Sequence, residues 1–299
     1  MSLLNLQKNK GVILLALISA FASVTFSFMG APFLRALSVS ARSAVFWTTA
    51  TVLILALFAA GIADYKISET AVYVGAIWMT LGSYSELEKR GVNWRSASFF
   101  AITTGTLFAL AGYFLILKNL GSGEALKELV EPLYAAIKKA VPASEMSTEG
   151  IIQLLPGILV GSLIGSLALG LIFETKVAKM FGIKRERVAS GLRWLEFKAP
   201  DVVIWTTLVA ALICETAQSE SIYVMLCLNV LIVSITVLFF QGLTVVEFLL
   251  RYYKLSFFTR AITYILIILQ LAPILVFVGF VDYWADFRKL VRKKSKITN

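Results

Sequence analysis

The chain has 299 residues, of which 59% are hydrophobic and only 15% are charged, whereas a typical soluble domain is about 25% charged. It has no histidine, which excludes a histidine-based zinc site or catalytic triad, and its two cysteines, Cys214 and Cys227, lack metal-binding spacing. The net charge of +10 lies in connections and tails, which favours anionic lipid head groups over nucleic acid as a partner. We therefore expect neither a metal site nor a cofactor.

Long apolar runs predict an all-α, polytopic transmembrane bundle of about seven or eight segments, because a helix needs roughly 20 apolar residues to cross the hydrocarbon. In chain order the segments are Gly11–Leu34, Ala44–Ala63, Thr70–Tyr84, Ser98–Leu117, Ile151–Phe173, Asp201–Cys214, Ile222–Leu250 and Phe258–Val281. We expect residues 1–289 to form a single integral membrane domain, followed by a basic tail at 290–299. The bacterial cytoplasmic membrane is the expected location.

Proline residues are expected to interrupt two of these runs. Gly30–Pro32 should end or kink the first run, because proline lacks a backbone donor and clashes with the preceding turn, and Pro273 is a second break. If both breaks mark re-entrant or tilted segments, both termini face the cytoplasm; otherwise both are external. The run Thr70–Tyr84 is short, so it either spans a thinned bilayer or lies buried among its neighbours.

Two connections carry much of the charge. In residues 119–149, apolar side chains recur at helical spacing on one face and charged ones occupy the other, which predicts an amphipathic helix in the membrane interface. Partner binding by this helix is the alternative. The loop 174–200 is the most basic one, and the positive-inside rule predicts that it is cytoplasmic.

Small residues four apart predict close helix packing in two segments. Gly157, Gly161 and Gly165 lie on one face of the fifth segment, and Ala16 and Ala20 form a weaker copy in the first. We expect the packing partner of the glycine face to lie in the same chain.

Polar side chains within apolar runs are the candidates for ligand binding. Asn229, Gln241 and Gln270 either form hydrogen bonds between helices or line a pocket for a small neutral or zwitterionic molecule. Asp282 and Asp286, one helical turn apart, have a spacing that suits magnesium. Pairing with neighbouring basic residues at a helix end explains them without a metal, and we prefer that interpretation.

Several motifs in the second half resemble the YybS-like family of uncharacterised bacterial membrane proteins (domain of unknown function 2232). The residues that carry this resemblance are Phe197, Pro200, Gly242, Gly279, Asp282, Asp286 and Arg288. The resemblance implies a distant similarity to vitamin-uptake substrate-binding subunits. In those subunits an Ala-x-x-x-Ala pair on the first helix contacts the energising module, and Ala16 and Ala20 match that spacing.

Three classes of function fit these observations. The preferred one is a non-enzymatic, small-molecule-binding subunit of transport type, with other membrane subunits or an external ATP-driven module as partners, since the chain has no nucleotide-binding motif. The second is a membrane scaffold that recruits cell-envelope or cytoplasmic partners through the loop 174–200 and the tail. The third is a membrane-embedded lipid-phosphate enzyme that uses Asp282 and Asp286.

Overall fold

The computed structural model describes residues 3–62, 65–120, 127, 130–131, 133–135, 138–139, 147–182, 194–217, 221–256, 259, 262–263, 266–267 and 272–297. The α-helices within these ranges are α1 Leu3–Phe26, α2 Ala31–Ser40, α3 Ser43–Ala60, α4 Tyr65–Lys89, α5 Trp94–Leu120, α6 Thr148–Met180, α7 Asp201–Thr216, α8 Ile222–Tyr252, α9 Ala272–Ala285 and α10 Phe287–Ile297. The described residues contain no strand, which confirms the all-α class.

The helices form two compact units, Met1–Gly191 and Leu192–Asn299. Five stretches of the described chain are long and apolar enough to cross a membrane, namely Gly11–Ser40, Ser43–Ala60, Trp94–Ile116, Thr148–Met180 and Ile222–Tyr252. Ala272–Ala285 is a shorter apolar helix. A polytopic helical membrane protein is thus confirmed, whereas the single domain over 1–289 and the number of segments stay predictions.

In the first unit, the first apolar run is divided into two helices that fold back on each other. α1 ends at Phe26 and α2 begins at Ala31, which confirms the predicted break. Between them Ser27 has a left-handed φ of 48°. The chain reversal brings Gly30 beside α1, where a Cβ atom would lie 2.7 Å from the carbonyl oxygen of Ala22. With ten residues α2 is about 15 Å long, half of the hydrocarbon thickness.

The helix α4 lies in the core of the first unit. Ala71, Val72, Trp78, Leu81 and Tyr84 have no exposed surface, and α4 packs against α2, α3 and α5. Buried apolar contacts on all sides, not a lipid-facing surface, therefore account for the short run Thr70–Tyr84. Of the two alternatives for this run, the structure shows burial among neighbouring helices.

The helix α6 begins where the Ser147 hydroxyl accepts a hydrogen bond from the backbone N–H of Gly150 at 3.1 Å. Gly157 and Gly161 are buried in this helix, but a Cβ atom at Gly165 would meet no described atom within 4 Å. A close approach lies at Gly170, where a Cβ atom would lie 3.2 Å from the Cβ atom of Arg35. Close helix packing through Gly157, Gly161 and Gly165 stays a prediction. Ala16 and Ala20 on α1 are both half-buried.

In the second unit, α8 and α9 cross at two glycines. A Cβ atom at Gly242 would lie 1.9 Å from the carbonyl oxygen of Leu275, and one at Gly279 would lie 2.1 Å from that of Leu238. Only the absence of both side chains allows the backbones to approach so closely. After α9 the chain turns at Asp286, which has a left-handed φ of 44°, and continues as α10.

The two charged connections are only partly described. Within 119–149, Val130 is 1% exposed and Lys138 and Lys139 are exposed, as an amphipathic helix requires, while most of this segment lies outside the described residues. Within 174–200, α6 continues to Met180, so Glu174 belongs to the helix and not to the loop. Residues 183–193 lie outside the described residues.

Candidate functional site

A buried arginine on α2 forms the centre of an ionic cluster in the first unit. The side chain of Arg35 has no exposed surface. Its Nε donates a hydrogen bond to Oε2 of Glu174 on α6 at 2.9 Å, and its Nη2 donates to Oε2 of Glu88 on α4. Both carboxylate side chains are themselves less than one-tenth exposed. The cluster thereby joins α2, α4 and α6 through charged groups.

The third guanidinium nitrogen of Arg35, Nη1, differs from the other two in its hydrogen bonding. Nη1 is buried and has no hydrogen-bond partner among the described residues. The guanidinium carbon lies 5.0 Å from the centre of the Tyr84 ring, a cation–π distance. Serine hydroxyls secure the surrounding backbone, since Ser38 donates to the carbonyl of Arg35 at 2.9 Å and Ser85 to that of Ser38 at 3.1 Å. α2 is therefore fixed in place while one strong donor group stays available.

Burial of Arg35 with an unpartnered N–H group costs free energy of folding unless an acceptor binds that group. Burial of an ion costs several kcal/mol even after relaxation, and a buried donor without a partner costs about 1–3 kcal/mol more. Ionisable side chains inside membrane bundles face the interior and mark functional sites. Chemically, the two N–H groups of Nη1 can donate to a further acceptor, such as a carbonyl or carboxylate oxygen. We take the cluster of Arg35, Glu88 and Glu174 as the candidate site of the first unit.

The sequence patterns did not point to this cluster. Arg35, Glu88 and Glu174 lie at the ends of apolar runs or in a charged connection, where charged residues are common. The one available signal was that Arg35 follows the helix-starting Pro32 within an otherwise uncharged segment, so its charge had to lie inside a helix. The partners lie 53 and 139 residues away along the chain, and no local pattern connects them.

A second buried network lies in the second unit and is centred on Asp282. Its Oδ2 accepts hydrogen bonds from Nη2 of Arg288 at 2.8 Å and from Nε2 of Gln241 at 3.2 Å. Its Oδ1 accepts from the backbone N–H of Phe287 at 3.0 Å, which caps the first turn of α10. The predicted pairing of the carboxylate with Arg288 is thereby confirmed. Both carboxylate oxygens of Asp282 accept hydrogen bonds from protein donors.

The same network holds the segment that precedes α7. Nη1 of Arg288 donates to the carbonyls of Leu195 and Phe197 at 3.0 and 2.8 Å. The Oε1 of Gln241 accepts from the backbone N–H of Ala199 at 2.9 Å. Pro200 then occupies the N-cap position of α7. The network thus joins α8, α9 and α10 to the segment before α7.

The motif residues of the second half converge in this part of the fold. Phe197, Asp282 and Arg288 share the network, Gly242 and Gly279 form the helix crossing beside it, and Pro200 and Asp286 mark the adjoining turns. Their shared role in the structure is to fix how the segment 195–199, α8, α9 and α10 meet.

Of the three amides predicted to bind a ligand, the structure describes Gln241 and Asn229. Gln241 has no exposed surface, and the network occupies both ends of its amide. Asn229 is half-buried, and its Nδ2 donates to the carbonyl of Met225 in its own helix at 2.9 Å. Gln270 lies outside the described residues. An open groove of about 480 Å³ between α8 and α9 includes neither Asn229 nor Gln241 among its described lining residues, which are Ile235, Thr236, Phe239, Ala272, Pro273 and Val276.

The apolar helices and the buried ionic clusters define an integral membrane protein of the multi-pass helical class. A family model described as Predicted membrane protein (DUF2232) matches residues 12–283, and the chain belongs to this family. No curated protein and no solved structure matches the chain.

Proposed function

We propose that the chain is a non-enzymatic, small-molecule-binding subunit of transport type in the bacterial cytoplasmic membrane. The observation that supports this proposal is the buried Nη1 of Arg35, a strong donor without a partner among the described residues, on a half-length helix. Half-length and broken helices are typical of transporter binding sites, where irregular backbone and buried charges line the substrate site.

The chemistry of the cluster indicates the kind of ligand. Nη1 needs a hydrogen-bond acceptor, and Glu88 and Glu174 lie on the neighbouring nitrogens of the same guanidinium. A free anion would approach these two carboxylates and be repelled. A neutral molecule with a carbonyl, or a zwitterion, offers the acceptor without that penalty. The ligand class is the one that the sequence suggested, but the proposed position moves from Asn229 and Gln241 to Arg35.

The test is purification of the full chain from native membranes in a mild detergent, with mass spectrometry of the small molecules it retains. Arg35→Lys keeps the positive charge and loses the planar array of donors, so it should reduce the retained ligand at least about tenfold. Arg90→Lys, at an exposed arginine after α4, is the matched control and should retain the ligand fully. Equal retention by both variants, or no retained molecule in the wild type, would overturn the proposal.

The same preparation tests the proposed partners. A transport subunit without a nucleotide-binding motif needs an external energy source, so we expect other membrane subunits or an ATP-driven module to co-purify. The thermal unfolding midpoint of each variant separates loss of ligand from loss of fold. If Arg35→Lys lowers the unfolding midpoint, Arg35→Gln is tested in its place, because glutamine keeps hydrogen-bond donors without the charge.

A membrane scaffold is the second candidate, and one observation favours it. In the second unit the amide of Gln241 and the carboxylate of Asp282 are used within the protein, as expected of purely structural polar groups. Co-purification of cell-envelope or cytoplasmic proteins, with no retained small molecule, would support the scaffold and not the transport subunit.

A further inference from the structure

The helix α10 differs in composition from the other helices that the structure describes. It contains six basic residues, Arg288, Lys289, Arg292, Lys293, Lys294 and Lys296, and no acidic residue. Phe287, Leu290, Val291 and Ile297 fall on one side of the helix at 100° per residue, and all the basic residues except Lys294 fall on the other. A basic amphipathic helix of this kind is typical of a segment that lies in the plane of a membrane surface.

The position of α10 is fixed by the network around Asp282. Phe287 is capped by this carboxylate, and Arg288 points inward to the same group. Further along, the guanidinium of Arg292 lies 5.3 Å from the centre of the Phe248 ring on α8. The first turns of α10 are therefore attached to the second unit, and α10 is not a free tail.

Two residues in the first turn of α10 are exposed. Leu290 is 56% exposed and the side chain of Lys289 is 85% exposed. The helix starts two residues after Ala285, the end of the short apolar helix α9, and Trp284 beside that end is 54% exposed. Tryptophan at the end of an apolar helix is typical of the boundary between hydrocarbon and water. An apolar α9 and a basic α10 in direct succession place α10 at this boundary.

We infer that α10 is a docking surface for anionic phospholipid head groups. Leu290 and Phe287 would rest on the acyl boundary, and the basic residues that are not used by the network would face the phosphates. Lys289 and Arg292 have carboxylate neighbours outside the helix, Asp286 and Glu196, each at 3.6 Å. Charge complementarity decides between occupants, because a helix with six basic residues and no acidic one attracts an anionic leaflet. This inference does not depend on the ligand proposed for Arg35.

The test uses the full chain in nanodiscs of phosphatidylcholine alone and of an about 3:1 mixture of phosphatidylcholine and phosphatidylglycerol. Hydrogen–deuterium exchange of the α10 amides is measured in both. We expect exchange to be at least about tenfold slower in the anionic discs, and the difference to shrink at high salt because head-group attraction is screened. Replacing three lysines of α10, with Lys289→Gln, Lys293→Gln and Lys296→Gln, should bring exchange to the level seen in neutral discs.

A variant with the same change in net charge is the control. It carries Lys127→Gln, Lys138→Gln and Lys139→Gln in the connection 119–149, and it should keep the lipid-dependent protection of α10. Equal exchange in the two kinds of disc would overturn the inference, and so would protection that survives the α10 substitutions. Protection that depends on a co-purified protein, and not on phosphatidylglycerol, would assign the surface to a protein partner and would also overturn it.

Discussion

Replacing Gly242 by alanine tests the helix crossing of the second unit most directly. The new Cβ atom would lie 1.9 Å from the carbonyl oxygen of Leu275, whereas ordinary van der Waals contact begins near 3.4 Å. The obstacle is backbone, so no side-chain rotation relieves the clash, and α8 and α9 must separate by about 1.5 Å. Such a separation also moves Gly279 away from Leu238 and disturbs the neighbouring network around Asp282.

The expected cost is at the upper end of what overpacking causes, about 3 kcal/mol. The assay is thermal unfolding of the purified protein in detergent, followed by tryptophan fluorescence. A loss of this size should lower the unfolding midpoint by roughly 5–10 °C, by the scaling of larger soluble domains.

Gly165→Ala is the matched control, because an added methyl group at that position meets no described atom within 4 Å. It should leave the midpoint unchanged or raise it slightly, since alanine is the better helix former by about 1 kcal/mol. Equal midpoints for Gly242→Ala and Gly165→Ala would refute the reasoning that the crossing of α8 and α9 depends on backbone contact.

Two further predictions concern buried polar groups, with the same unfolding assay as the measurement. Asp282→Asn should lower the free energy of unfolding by about 3–5 kcal/mol, because it leaves the buried Arg288 without its counter-ion. Asp286→Asn, at a partly exposed side chain, should lower it by less than about 1 kcal/mol. Equal losses for the two variants would contradict the network. Ser23→Ala should cost about 1–3 kcal/mol, since the buried indole N–H of Trp78 donates to that hydroxyl at 3.2 Å. Thr25→Ala is the control, because it removes only an exposed hydrogen bond within its own helix, and it should change the stability little.

Much of the fold could be predicted because hydrophobic runs and proline act locally. The run Ile222–Leu250 corresponds closely to α8, and Pro200 precedes α7 as a proline before a helix does. The break between α1 and α2 follows from Pro32, which falls in the first turn of α2, where its missing N–H is not needed. Each of these features depends on residues that lie in one continuous stretch of the chain.

The candidate site could not be predicted in the same way. Hydropathy shows that a charged Arg35 within apolar sequence needs a partner. It does not show which carboxylates pair with it, because the pairing depends on the packing of α2, α4 and α6. The glycines illustrate the same limit. Gly165 and Gly242 both lie in apolar helices, and only the position of the neighbouring backbone shows that the second requires glycine and the first does not.

The separation of Arg35 from its partners has a consequence for biosynthesis. Glu174 is added to the chain 139 residues after Arg35, which at about 5–20 residues per second corresponds to roughly 7–30 s of translation. During that interval the hairpin of α1 and α2 carries a guanidinium that has at most Glu88 as its described carboxylate partner. The nascent first unit therefore cannot close around α2 until α6 leaves the ribosome. Insertion intermediates that end before Glu174 should hold α2 near the aqueous boundary and bury it only when the last carboxylate arrives.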